Sequence, residues 1–256
     1  MIRLSINLNK IALIRNSREG NYPNLLEHAQ TCINEGAQGV TVHPRPDQRH
    51  IRAQDIHPLS KLCAEHPNVE FNIEGNPFAP AAKSDRPEVE DYPGFLALIE
   101  QAQPEQCTLV PDTDQQLTSD HGFDLQQDGV KLKPAIRACQ DAGSRVSLFM
   151  DPDCDQIKRA ADLGVECIEL YTGPFAAAYG RNPNDISLFT RYCEAAECAL
   201  REGLKVNAGH DLNLENLDLF RQLPGLQEVS IGHAFTVDSL NMGLRHAVAA
   251  YLLALQ

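Results

Sequence analysis

RVSLFMDPDCDQIKRAADLGVECIELY, residues 145–171, decides the fold. Arg145–Met150 is a mostly apolar run of strand length, bounded by Gly143 before it and Asp-Pro after it. QIKRAADLG follows with an amphipathic helical pattern, and Gly164 supplies the residue that tolerates the left-handed turn ending a helix. Glu166–Tyr171 is a second strand-like run. Strand, helix and strand in this order form a parallel βαβ unit.

The same rhythm extends both ways. Upstream are Arg3–Asn7 (RLSIN), Gly39–His43 (GVTVH), Val69–Glu74 (VEFNIE) and Gln106–Val110 (QCTLV); downstream are Leu204–Asn207 (LKVN) and Glu228–Ile231 (EVSI). Helical patterns separate them, among them LLEHAQTCINEG stopped at Gly36, CEAAECALREG stopped at Gly203, and a closing helix over Leu240–Leu255. Eight strand–helix units in 256 residues predict an α/β fold, a (β/α)8 barrel forming one domain over 1–256. A doubly wound open sheet is the alternative, but no G-x-G-x-x-G and no Walker motif occurs, and the first turn reads NLNKIALIRNSR. The Pro-rich segment 76–93, NPFAPAAKSDRPEVEDYP, reads as a long loop after the third strand, in the class that serves as lids or stays disordered.

Composition narrows the partners. The net charge of −13 opposes attraction to nucleic acid or to an anionic lipid surface, so an anionic substrate needs a local cluster of cations or backbone N–H groups. MIRLSINLNK has no apolar stretch after a basic start, and the longest apolar run, Ala247–Leu255, is short for a membrane span. The eight cysteines form no C-x-x-C pair and read as reduced, mostly buried thiols of a cytoplasmic protein.

Barrel enzymes keep their chemistry at the C-terminal ends of the strands. There the chain places Asn7, Asn9 and Lys10; His43, Arg45, Arg49 and His50; Glu74; Pro111 and Asp112; Glu169 and Tyr171; Asn207, His210 and Asp211; Gly232 and His233. Three histidines at strand ends beside two carboxylates with apolar neighbours, Glu74 and Glu169, predict an acid/base site. No zincin-like histidine spacing appears, and no metal site is assigned. Gly209 and Gly232 follow strands seven and eight, where barrels commonly bind phosphate through backbone N–H groups. Arg45, Arg49 and His50, with Arg15 and Arg18 after strand one, suit a second phosphate.

Seven segments, in order, carry a family resemblance: TVHPRPDQRHI at 41–51, FNIE at 71–74, TLVPD at 108–112, VSLFMDPD at 146–153, IELYTG at 168–173, VNAGHDL at 206–212 and SIGHAF at 230–235. Together they resemble the pyridoxine 5′-phosphate synthases over nearly the whole chain. The resemblance implies a cytosolic (β/α)8 barrel assembled as an octamer of dimers, with no metal or organic cofactor. It implies condensation of 1-deoxy-D-xylulose 5-phosphate with 3-amino-2-oxopropyl phosphate into pyridoxine 5′-phosphate, phosphate and water. By the same resemblance His43 and Glu74 accept protons, His210 donates one and Glu169 stabilises the transition state. Asn7, Arg18, Asp211, Gly232 and His233 then hold the aminoketone phosphate, and Arg45, His50 and Thr118 the deoxyxylulose phosphate. Asn9 and Lys10 join the substrate-binding set, standing where Asp-His is commoner. The chain further departs at Tyr171, where His is commoner, at Asp211, where Gly is, and at Pro111–Asp114, where Pro-Glu-Lys-Arg is. The competing readings are another phosphosugar isomerase or aldolase and a non-catalytic phosphate-ester binder.

Overall fold

The strand-like runs pair in chain order. In the computed structural model, which describes residues 1–113 and 115–256, eight parallel strands close into a barrel, β1 lying between β2 and β8. The elements in order are β1 (Arg3–Asn7), α1 (Asn9–Asn16), α2 (Leu25–Asn34), β2 (Gly39–Val42), α3 (Ala53–Ala64), β3 (Glu70–Gly75), α4 (Phe95–Ala102), β4 (Gln106–Leu109), α5 (Leu125–Asp141), β5 (Arg145–Met150), α6 (Cys154–Asp162), β6 (Cys167–Tyr171), α7 (Gly173–Arg181), α8 (Ser187–Arg201), β7 (Lys205–Gly209), α9 (Leu217–Phe220), β8 (Leu226–Ile231), α10 (His233–Met242) and α11 (Leu244–Ala254). Asp114, one of the positions that depart from the commoner pattern, lies outside the described residues.

Local chemistry sets the boundaries. Asp153 caps α6 by accepting the N–H groups of Asp155 and Gln156 at 2.9 and 3.0 Å, and Gly164 ends it with φ 80°. Alternation along the strands separates two layers. Leu4, Ile6, Phe71, Ile73, Val146, Leu148, Ile168, Leu170, Val229 and Ile231 join the apolar core with the helices. The opposite face is polar and fills the barrel: Ser5 Oγ meets Thr41 Oγ1 at 2.7 Å, and Asn207 on β7 donates across the interior to Gln106 on β4 at 3.2 Å.

The structure corrects three expectations. The closing helix is two, α10 and α11, because Gly243 adopts φ 90°, which an α-helix cannot contain. The seventh unit has only the single turn α9 between its strands. The Pro-rich segment is an ordered loop. Ala82 and Tyr92 form an antiparallel bridge, Tyr92 is buried, Arg86 donates to the Gln48 carbonyl at 2.6 Å, and Gln48 donates to the Glu90 carbonyl at 2.8 Å. All eight cysteines are free thiols, six of them buried. Among the described residues no helix is long and apolar enough to cross a membrane.

Candidate active site

The C-terminal ends of the strands surround a cavity of about 160 Å³. Its walls hold Asn7, Asn9, Lys10, His43, Arg45, His50, Glu74, Thr118, Glu169, His210, Asp211, Gly232 and His233, every residue the family resemblance set as catalytic or substrate-binding except Arg18. Arg18 is exposed on the turn after α1 and does not line this cavity. Arg15, expected to help with a phosphate, is buried in a bidentate pair with Asp55 at 2.6 and 2.9 Å and also donates to the His50 carbonyl. Its charge is therefore spent inside the protein, supporting the β2–α3 loop. Arg49 turns to Asp47 and to the Gln116 carbonyl.

One corner joins β1, β2 and β3. Asn9 Oδ1 accepts the backbone N–H of His43 at 2.9 Å, and the Asn9 N–H donates to Asn7 Oδ1 at 3.0 Å. Asn7 in turn donates to Glu74 Oε2 at 3.4 Å. The His43 ring lies between two carboxylates, with Nδ1 3.9 Å from Glu74 and Nε2 3.6 Å from Asp112. Burial first, then the charges of Arg45 and His210, hold the His43 imidazole well below its ordinary value. Burial first, then the Glu169 and Asp112 charges, push the Glu74 carboxyl well above its own. Both directions favour the uncharged forms of the pair. Asp112 is the residue the sequence reading left without a role, although it was noted at a strand end. It pairs with Arg45, which also donates to the carbonyls of Thr113 at 3.0 Å and Gln116 at 3.1 Å. Arg45 Nε is left buried with no partner among the described residues, a donor available to an oxyanion.

The other corner joins β6 and β7. Glu169 is buried, and its pKa is pushed up to about 8 by burial first and by the Glu228 charge second. Gly209 is required there, because a Cβ at that position would lie 2.2 Å from Glu169 Oε1. His210 and Asp211 follow with φ 81° and 57°, backbone that side chains rarely adopt. Thr172 holds this turn, its N–H and Oγ1 meeting the Gly209 carbonyl at 3.0 and 2.7 Å and Oγ1 also contacting the His210 carbonyl. The His210 ring packs against Phe149 at 5.1 Å and edge-on to Tyr171 at 5.6 Å, and its Nε2 lies 3.3 Å from Thr118 Oγ1. Burial lowers the His210 pKa, so this imidazole too is neutral at pH 7. Asp211 fits a position where glycine is commoner because Asp is one of the few residues that tolerate the left-handed region.

Gly232 opens α10, whose first turn carries the N–H groups that a helix cannot satisfy itself. A Cβ on Gly232 would press on Asn7 at 3.1 Å. Leu117, Ser119 and Ser230 complete the walls and were not singled out from the sequence. Ser230 was legible as the residue two after Glu228 on an alternating strand; Leu117 and Ser119 lie on a segment without periodicity. Among the described residues no group of three or more His, Cys, Asp or Glu is arranged to hold a metal ion.

Known proteins bear on this geometry. The family model of the pyridoxal phosphate biosynthesis protein PdxJ matches residues 4–256. A pyridoxine 5′-phosphate synthase of Xanthomonas axonopodis pv. citri (strain 306) is 53% identical over 251 residues, covering 98% of this chain and 95% of that one. That of Xylella fastidiosa (strain 9a5c) is 47% identical, covering 98% and 93%. Among solved structures, the tryptophan synthase A-subunit of Pyrococcus furiosus gives a TM-score of 0.61 at 12% identity, covering 98% of this chain and 97% of that one. Thiamine phosphate pyrophosphorylase of the same organism gives 0.59 at 12%, covering 99% and 95%. The structural likenesses establish the barrel alone; the family rests on the sequence matches, which span the chain. The chain belongs to the PdxJ family of pyridoxal phosphate biosynthesis proteins.

Proposed function

We propose that this chain is a pyridoxine 5′-phosphate synthase, joining 1-deoxy-D-xylulose 5-phosphate to 3-amino-2-oxopropyl phosphate with release of inorganic phosphate and water. One observation carries the reading: His43, Glu74, Glu169 and His210 meet in a single cavity that also holds two groups suited to oxyanions. One group is Arg45, His50 and Thr118, on the segments after β2 and β4, for the deoxyxylulose phosphate. The other is Asn7, Asp211 and the Gly232–His233 start of α10, for the aminoketone phosphate. Asn9 and Lys10, in the first turn of α1, are substrate contacts between them.

The two substrates condense with each other, amine on carbonyl, so the protein supplies proton movement rather than a covalent lysine. Neutral His43 is the first base; its Nδ1 faces Glu74, which releases its own proton to solvent as the cationic amine enters and, as a carboxylate, accepts the proton onward from His43. His210, aimed by Phe149 and Tyr171, is neutral at rest; it takes up the proton released by the condensing amine, as an imidazolium favoured by the Asp211 and Asp112 charges, and then hands it to the departing oxygen. Glu169, protonated at pH 7, donates a hydrogen bond to oxygen that gains charge in the transition state.

The test mixes purified protein with both substrates and follows pyridoxine 5′-phosphate and phosphate. Product that requires both is the expected result. His43→Ala, Glu74→Gln and His210→Ala should each lower kcat by roughly 10²–10⁴-fold with folding retained. Turnover of one phosphorylated sugar alone, or binding without turnover, would point to the competing readings. We further infer a cytosolic homo-oligomer, an octamer of dimers: α1 and α10 pack together and leave Leu13, Ile14, Val237 and Leu240 exposed. Light scattering at the monomer mass would refute that assembly.

A further inference from the structure

A second buried carboxylate lies in the barrel beside Glu169, deeper than the cavity, on a residue that no step of the proposed reaction uses. Its position is deliberate in structural terms. The β7–β8 ladder slips by one residue between the pairs Val206–Leu226 and Asn207–Glu228, and the extra residue, Gln227, is exposed. Such a bulge re-aims the side chains that follow it. Here it sets Glu228, rather than Gln227, opposite Asn207, while Asn207 is itself opposite Glu169 on β6. The two carboxylates thus stand two strands apart at one level of the interior.

Glu228 is held at one end of a chain of polar contacts. Arg3 donates to it at 3.2 Å and pairs also with Glu70; Glu70 pairs with Arg145. Arg145 donates to Gln106 Oε1 at 2.7 Å, and Gln106 donates to Thr108 Oγ1 at 3.4 Å. The Thr108 hydroxyl faces Glu169 and partly offsets the cost of its charge. The single hydroxyl proton of Thr108 goes to Asn72 Oδ1 at 3.1 Å, the Asn72 Nδ2 being turned toward Thr41. Among the described residues no cation pairs with Glu169, whereas Arg3 holds a charge on Glu228 two strands away at the same level.

We propose that Glu228 is a positioning residue for the reaction, a buried charge that the bulge and Arg3 place where it keeps Glu169 in the protonated, hydrogen-donating form. The charged and titratable groups facing Glu228 are Arg3 on β1, Glu70 and Glu74 on β3, Arg145 on β5, and Cys167 and Glu169 on β6. Burial first, then Glu70, push Glu228 up to about 7, while Arg3 and Arg145 oppose that. It is thus ionised on the alkaline side of neutrality, where Glu169 would otherwise release its proton. The sum is a coupled titration in which the charge of one carboxylate delays the ionisation of the other.

The inference rests on the role given to Glu169 in the proposed reaction. The test is the pH profile of kcat from pH 5.5 to 9.5 for the wild-type protein, Glu228→Gln and Glu228→Asp, with folding checked by circular dichroism. The alkaline limb should move about one unit toward acid in Glu228→Gln and stay near the wild-type position in Glu228→Asp, which keeps the charge. A folded Glu228→Gln with an unmoved limb overturns the proposal. If Glu228→Gln does not fold, an infrared titration of the wild-type protein decides. A protonated-carboxyl band that persists above pH 7 and is missing in Glu169→Gln supports the proposal, and its absence at pH 7 overturns it. Absence of ring-forming turnover in wild type would instead count against the proposed function, and the infrared titration would still be read.

Discussion

Glu169 stands where every neighbour raises the cost of its charge: it is buried, shares the interior with Glu74 and Glu228, and has a hydroxyl for its one compensating contact. Folding therefore takes up a proton at Glu169 between its ordinary value near 4.5 and its native value of about 8. The native state holds more protons than the unfolded chain in that window, so this group's contribution to stability falls as pH rises through it, by at most about 1.4 kcal/mol per pH unit. Replacing it by Gln removes the effect and also eases Glu74. Urea unfolding at pH 5.5 and pH 8 should find Glu169→Gln gaining on the wild-type protein with rising pH, and parallel curves would contradict the buried, protonated acid. His43 and His210 tilt the other way. Their native values are lowered, so the stability they contribute is present above about 6.5 and is lost as pH falls below it. At this scale the site was largely legible: histidines and glutamates at strand ends announce themselves by residue type. Arg15 misled because its sequence neighbourhood is the same whether it faces a phosphate or Asp55; only the approach of α1 to Asp55 on α3 in the folded chain decides.

The elements that shape the site are the connections. The loop after β3 is held by Tyr92, whose ring is buried and whose hydroxyl approaches the Pro44 carbonyl at 3.5 Å, next to His43. Tyr92→Ala would remove a buried aromatic ring at a cost of about 3 kcal/mol. It should open the segment 83–90 to limited proteolysis and raise KM, because Pro44 and Arg45 lose their backing. A variant as protease-resistant as wild type would show the loop to be held by its backbone bonds to Gln48 and Gln54 alone. Proline content made this a loop in the sequence, but proline and charge do not say whether a loop is free. Burial of Val89 and Tyr92 makes it part of the wall. The same limit applies to the closing helix: Gly243 is compatible with either one helix or two, and its positive φ appears only once α11 packs against α2 and α10.

In the whole molecule, one sheet separates an apolar jacket from a polar interior. Strand alternation explains why: with helices covering the outer face of every strand, the inward residues are free to be Ser5, Thr41, Asn72, Thr108, Glu169, Asn207 and Glu228. That interior connects the acids of the cavity with the ion pairs of Arg3, Glu70 and Arg145 at the opposite end of the barrel. The sequence by itself determined the barrel, the eight strands and the end at which chemistry collects, because periodicity and helix-stopping glycines are local properties of the chain. It determined the family too, through collinear motifs that no local contact has to confirm. Only the tertiary structure decided that Asp112 flanks His43, that Arg15 is a structural ion pair, and that Arg18 stays outside the cavity. Only it revealed that a one-residue slip in the β7–β8 ladder turns Glu228 inward. Those facts depend on register and on which side chains meet across the barrel, and charge and distance between residues far apart in sequence exist only after the sheet has closed.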